Sequence, residues 1–131
     1  MGLGKLFQDY FDIFVKFGTH ILNESDKMIE YYVFDVTDIS IGFCSKRILL
    51  SLLNEGIINE DIYEKSSLLL SKFRDIESTP LWDLESVKSS PEWREILTLS
   101  DEIRRLIETR WSQDEMQTIF EFTDPINLSA D

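Results

Sequence analysis

The chain has 131 residues, with 25 acidic and 13 basic side chains, which gives a formal net charge of −12 at pH 7 and an isoelectric point near 4.4. This length fits one domain better than two. Leu, Ile, Val and Phe make up about a third of the residues, enough apolar material for a core. The acid excess argues against binding to nucleic acid or to an anionic membrane, because either would need many Lys and Arg side chains against the phosphates.

The cysteine content and the first residues point to a cytoplasmic protein. Cys44 is the only cysteine, so no intramolecular disulfide can form and a reducing compartment is expected. The N-terminal residues meet Gln8, Asp9 and Asp12 before any long apolar stretch, so no signal peptide is predicted. The apolar runs at 48–50 and 68–70 span three residues each, whereas a membrane span needs about 18. We therefore expect no membrane partner.

The first predicted helix carries a wide apolar stripe. From residue 3 to residue 21 large apolar side chains recur at alternating spacings of four and three, which places them on one helical face: Leu3, Phe7, Tyr10, Phe14, Phe17 and Ile21. The width of the stripe predicts contact with two neighbouring helices. Asn23 and Ser25 are suited to cap a short second helix that reaches residue 34.

The segment near 33–44 allows two interpretations. Ile39, Ile41 and Phe43 alternate with smaller side chains, as in a half-buried strand. The same residues also fit a helix that starts at Thr37 or Asp38 and ends before Gly56. The helix is preferred, because a single strand would have nothing to pair with in this chain.

Three later helices are indicated by their capping residues. Asn59 precedes two acids and an apolar face that ends at residue 76. Ser90 precedes Pro91, which suits the first helical position, and the following helix should run to about residue 111. Ser112 and Glu115 have capping-box spacing and predict a short last helix.

These elements predict an all-α fold in a single domain over residues 1–122. It would be a bundle of about five helices with short connections, and the segment near 33–44 would be its irregular part. Residues 123–131, which include Pro125, are expected to fray as a C-terminal tail.

Catalytic and metal-binding patterns are weak in this sequence. His20 is the only histidine and lies four residues before Glu24, which more often marks a surface pair than a catalytic one. One histidine cannot build a di-iron bundle, and the calcium-loop pattern is missing. Cys44 precedes Lys46 and Arg47, but a lone cysteine is usually a small buried hydrophobe. We therefore predict a protein that is not an enzyme and uses no cofactor and no metal.

The acids are concentrated in the last third of the chain. Residues 78–131 carry twelve acids and five bases, whereas residues 1–37 carry six and three and residues 38–77 carry seven and five. Aromatic anchors surrounded by carboxylates suit a surface that binds a basic protein. The predicted partner-binding residues are Glu92, Glu95, Asp101, Glu102, Glu108, Asp114, Glu115 and Trp82. The bland interpretation is that Trp93 and Trp111 are core residues and that the acids only solubilise the surface.

A small, strongly acidic, cytoplasmic domain without catalytic groups or an export signal resembles the immunity proteins of bacterial toxin systems, including those of contact-dependent growth inhibition. The resemblance concerns the character of the whole chain and no motif. It implies a protein that neutralises a cognate toxin domain, often a basic nuclease, by covering its active site or substrate surface. The acids at 92–115 would then stand in for nucleic-acid phosphate.

Two other functions compete with this one. A structural or adaptor subunit would pack the apolar stripe of the first helix against another protein or another copy. An enzyme would use His20 and Glu24 and would lose its activity in a His20→Ala variant. The enzyme is the least favoured of the three.

Overall fold

The structure is a computed structural model that describes residues 2–122, and it is all-α, as predicted. Within these residues there is no strand, and the helices in chain order are α1 Leu3–Lys16, α2 Asp26–Glu30, α3 Asp38–Ser40, α4 Lys46–Asn54, α5 Glu60–Glu77, α6 Leu84–Ser89, α7 Pro91–Arg110 and α8 Gln113–Phe120. Two 3₁₀ turns, Thr19–Asn23 and Ile41–Cys44, and a π-helix, Tyr31–Thr37, complete the described chain. The tail predicted at 123–131 lies outside the described residues.

The prediction of about five helices is too low, because seven α-helices in the described chain have at least five residues. One of these seven, α6, has six residues and lies between α5 and α7. Its start is fixed by Asp83, whose carboxylate accepts a 2.8 Å hydrogen bond from the backbone N–H of Ser86. The hydrogen bonds to Ser86 also lower the pKa of the Asp83 carboxyl group. Asp83 is therefore the N-cap that defines where α6 begins.

The segment near 33–44 is helical, so the strand alternative is wrong. The π-helix passes into α3 and then into the 3₁₀ turn. The Thr37 hydroxyl donates a 2.6 Å hydrogen bond to the carbonyl of Tyr32, five residues back. Ile41 is fully buried whereas Ile39 is 82 % exposed, so the alternating residues do not share one face.

The first helix ends earlier than its apolar stripe. Phe17 leaves α1 in an extended conformation, and Ile21 is buried from the following 3₁₀ turn. The Ser100 hydroxyl of α7 donates a 2.5 Å hydrogen bond to the Phe17 carbonyl. Asp101 accepts hydrogen bonds from the backbone N–H and the hydroxyl of Thr19, at 3.1 and 2.5 Å. These contacts supply partners for backbone groups that a continuous helix would have satisfied itself.

The buried apolar residues form one contiguous cluster around α1. Leu6, Phe7, Tyr10 and Phe14 are each at most 1 % exposed, and α1 packs against α7, α8 and the 3₁₀ turn Ile41–Cys44. The stripe that an adaptor subunit would need at the surface is therefore used inside the chain.

A second part of the core is an aromatic cluster, which consists of Phe34, Phe73, Trp82 and Trp93. Neighbouring ring centroids in this cluster lie 4.9–6.5 Å apart. Trp93 is fully buried, and its indole N–H donates a 2.7 Å hydrogen bond to the carbonyl of Leu81. The cluster thus joins the π-helix, α5, α7 and the connection before α6.

Replacing Trp93 should therefore destabilise the protein strongly. Trp93→Ala removes the largest fully buried side chain, and we expect the free energy of unfolding in urea to fall by about 3–5 kcal/mol. Trp93→Phe keeps an aromatic ring and loses the hydrogen bond to Leu81, so a loss of about 1–3 kcal/mol is expected. A larger loss for Phe than for Ala would contradict this role.

A substitution at Gly18 tests the contact between Asp101 and Thr19, because a side chain at residue 18 would overlap the Asp101 carboxylate. We expect Gly18→Ala to displace that carboxylate from Thr19 and to lower the free energy of unfolding by about 1–3 kcal/mol. Gly42→Ala is the matched control, since nothing lies within 4 Å of its added methyl group. In an Asp101→Ala background Gly18→Ala should cost much less, and an equal cost in both backgrounds would place the strain elsewhere.

Candidate binding groove

Helices α5 and α7 pack in antiparallel orientation, and two ion pairs mark their register. Lys72 Nζ lies 2.8 Å from Glu95 Oε1, and Lys65 Nζ lies 3.8 Å from Glu102 Oε1. Each step from one pair to the other is seven residues, two helical turns and about 10.5 Å along both axes. A hydrogen bond from Lys65 to Asp61 raises the pKa of the lysine, which keeps it charged.

Two open cavities lie side by side along this helix pair. The first, of about 340 Å³, has an apolar floor and a polar rim, formed by Ile76, Leu81, Ile96, Lys72, Asp75, Glu92 and Glu95. The second, of about 460 Å³, is lined by residues that include Leu68, Leu99, Lys72, Arg94, Glu95 and Glu102. Both share Lys72 and Glu95, so this ion pair separates them. We call the two cavities together the α5–α7 groove.

The two cavities differ in charge. Three carboxylates and one ammonium group line the first cavity, those of Asp75, Glu92, Glu95 and Lys72. The second is lined by two acids and two bases. Asp75 and Glu92 are exposed, and neither carboxylate has an ion pair among residues 2–122. The first cavity is therefore the negative end of the groove and combines carboxylates with apolar surface.

The structure brings three of the eight predicted binding residues together in this groove. Glu92 and Glu95 line the first cavity, and Glu95 and Glu102 line the second. Asp101 is half-buried and holds Thr19. Glu108 pairs with Arg104 at 3.4 Å. Asp101 and Glu108 lie on another face of α7, about 120° around the helix axis from Glu95.

The other three predicted residues lie elsewhere. Asp114 and Glu115 belong to α8, and Glu115 completes the capping box by accepting a 2.9 Å hydrogen bond from the backbone N–H of Ser112. Trp82 is a half-buried member of the aromatic cluster. The eight residues therefore do not form one continuous face. A binding role for each of them stays a prediction.

Sequence reasoning missed the α5 side of the groove. Asp75, Ile76 and Leu68 belong to α5, which lies before the last third of the chain, where the acid excess is concentrated, so the acid count does not single this helix out. A usable signal was present, because two lysines seven residues apart on one predicted helix match two glutamates seven apart on another. Side chains seven residues apart lie two turns apart on one face of a helix, so the lysines and the glutamates can face each other when the two helices are antiparallel.

The candidate catalytic side chains occupy unremarkable environments. Cys44 is buried, and burial raises the pKa of its thiol far above the ordinary value, which disfavours the reactive thiolate. His20 is exposed and has no ion pair with Glu24. Tyr10 shares a 2.6 Å hydrogen bond with Ser66, and burial raises the pKa of its hydroxyl group. The burial of Cys44 and Tyr10 suits a packing role for both side chains.

Residues 2–122 contain no group of three or more His, Cys, Asp or Glu side chains placed to hold a metal ion. No helix in this part of the chain combines the length and apolar character that crossing a membrane requires. A scan against protein-family models finds no match, and searches of curated proteins and of solved structures find no significant match.

Proposed function

We propose that this protein is a non-enzymatic binding protein that covers a basic surface of a protein partner with the α5–α7 groove. The observation that carries the proposal is the first cavity, where an apolar floor of Ile76, Leu81 and Ile96 lies beneath the carboxylates of Asp75 and Glu92, which form no ion pair within residues 2–122. Apolar contact supplies affinity, and the surrounding charge selects the partner.

The net charge of −12 supports the same proposal through association kinetics. A strongly negative protein attracts a positive partner over a distance comparable with the Debye length, about 8 Å at physiological salt. Such steering raises the association rate and makes it fall with added salt. The groove then provides the place where a long-range attraction becomes a specific contact.

The particular form that we propose is an immunity protein that neutralises a toxin domain, with a basic nuclease as the expected partner. Its substrate surface would be positive, because it must hold nucleic-acid phosphate. The carboxylates of the groove would occupy that surface in place of phosphate, and the bulk of the helical protein would block substrate entry. No catalytic residue is needed for this mode of inhibition.

Reversing the charges of the first cavity should slow association. Asp75→Lys with Glu92→Lys is expected to lower the association rate with the basic partner, co-purified at low salt, by about tenfold or more. The matched control is Glu30→Lys with Asp35→Lys, which changes the net charge equally at two exposed acids outside the groove. Stopped-flow measurements across a salt series would compare the two. Equal slowing in both variants would show that only net charge matters and would contradict a specific groove.

Neutralisation itself is tested by co-expression in a heterologous host. If the partner is a toxin, its expression alone should arrest growth, and co-expression of this protein should restore growth. The groove variant should restore growth less well than the control variant at matched protein levels. A partner that leaves growth unaffected, or a groove variant as protective as the wild type, would contradict the immunity function.

A further inference from the structure

The side chains that face each other across α5 and α7 change from opposite charges to like charges at one end of the helix pair. Two lysines of α5 face two glutamates of α7, and exposed Leu68 faces Leu99 between them. The next step along the pair lies three residues beyond Lys72 on α5 and three residues before Glu95 on α7. Those positions are Asp75 and Glu92, so the pairing of a lysine on α5 with a glutamate on α7 gives way to two carboxylates that line the same cavity.

Like charges that face each other destabilise a helix pair unless a cation lies between them. Among the described residues that line the cavity, Lys72 is the one cation, and it already pairs with Glu95 at 2.8 Å. Asp75 and Glu92 therefore present their oxygens to an open space of about 340 Å³ that no cation of the described chain fills. The floor of this space is apolar.

We propose that the first cavity receives an arginine side chain of the partner protein. The proposal rests on the function proposed above and names the group that the groove recognises. The guanidinium would lie between Asp75 and Glu92, where its planar set of five N–H donors can serve both carboxylates. Its methylene stem would lie on Ile76, Leu81 and Ile96.

Arginine fits this cavity better than lysine. The ammonium group of lysine is compact and strongly hydrated, so drawing it onto an apolar floor costs more than for the weakly hydrated guanidinium. A single ammonium also bridges two separate carboxylates less well than a planar group whose donors point in several directions. An arginine there would place a positive charge beside the acids of the first cavity, as the lysines of α5 do beside the glutamates further along the helix pair.

The first test uses a short peptide, Leu-Arg-Leu with blocked ends, and its counterpart with citrulline, which keeps the shape of arginine and removes its charge. Methyl NMR titration of the full chain should show saturable shifts at Ile76, Leu81 and Ile96. We expect the arginine peptide to bind about tenfold more tightly than the citrulline peptide, with a lysine peptide between them. Equal affinities for the arginine and citrulline peptides would overturn the proposal, as would shifts located elsewhere.

Matched variants locate the interaction. Asp75→Asn with Glu92→Gln should weaken binding of the arginine peptide by about tenfold, whereas Glu30→Gln with Asp35→Asn should leave its affinity unchanged. Equal effects of the two variants would overturn the assignment to this cavity.

A stability measurement gives an independent readout. Asp75→Lys would extend the lysine register of α5 and supply Glu92 with a partner. We therefore expect a higher urea midpoint for this variant than for the wild type, together with loss of arginine-peptide binding. A lower midpoint would overturn the argument that the two carboxylates oppose each other.

The outcomes separate this inference from the proposed function. If the charge reversal slows the natural partner but the peptides show no preference for arginine, the arginine site is wrong and the binding function stands. If the peptides show the preference but the reversal leaves the natural partner's association unchanged, the cavity's selectivity stands and the proposed function is wrong.

Discussion

The structure depends on one helix, α7, whose side chains form hydrogen bonds with backbone groups of the neighbouring connections. Polar side chains of α7, and of the residue that follows it, form hydrogen bonds with three connections that have left helical geometry. The contacts run from Ser100 to Phe17, from Asp101 to Thr19, from Trp93 to Leu81, and from Arg110 and Trp111 to Gly56 and Ile57. A part-buried carbonyl or N–H without a partner is costly. The turns can therefore pack closely because α7 supplies what they lack.

This arrangement also holds the two helices of the α5–α7 groove in place. The inward face of α7 is anchored by buried apolar side chains such as Trp93 and Ile103, so its outward face does not move independently. Glu92 and Glu95 project from that outward face, and Asp75 lies on α5, which the aromatic cluster ties to α7 through Phe73. Because these carboxylates project from packed helices, binding a partner does not have to order the backbone that carries them. A sparse set of charges can then be selective.

The sequence predicts best what is local. Asn59, Ser90 and Ser112 cap their helices as expected, because a cap involves residues three positions apart. The end of α1 could not be predicted, since it depends on a contact with Asp101, which is more than eighty positions away in the sequence. The same limit applies to the groove: Glu92, Glu95 and Glu102 follow from the acid count, but their neighbours on α5 follow only from the packing.

The contact between the first and last described helices has a consequence for synthesis. The backbone N–H of Gly4 donates a 3.0 Å hydrogen bond to the carbonyl of Phe122, and a side chain at Gly4 would overlap the backbone at the end of α8. Helix α1 therefore obtains its last neighbour only after nearly all of the described chain has been translated. Until then Phe7 and Phe11 lack the ring of Phe120 against which they pack. The nascent protein thus keeps an aromatic surface open to chaperones, and closure of α8 onto α1 marks the end of that interval.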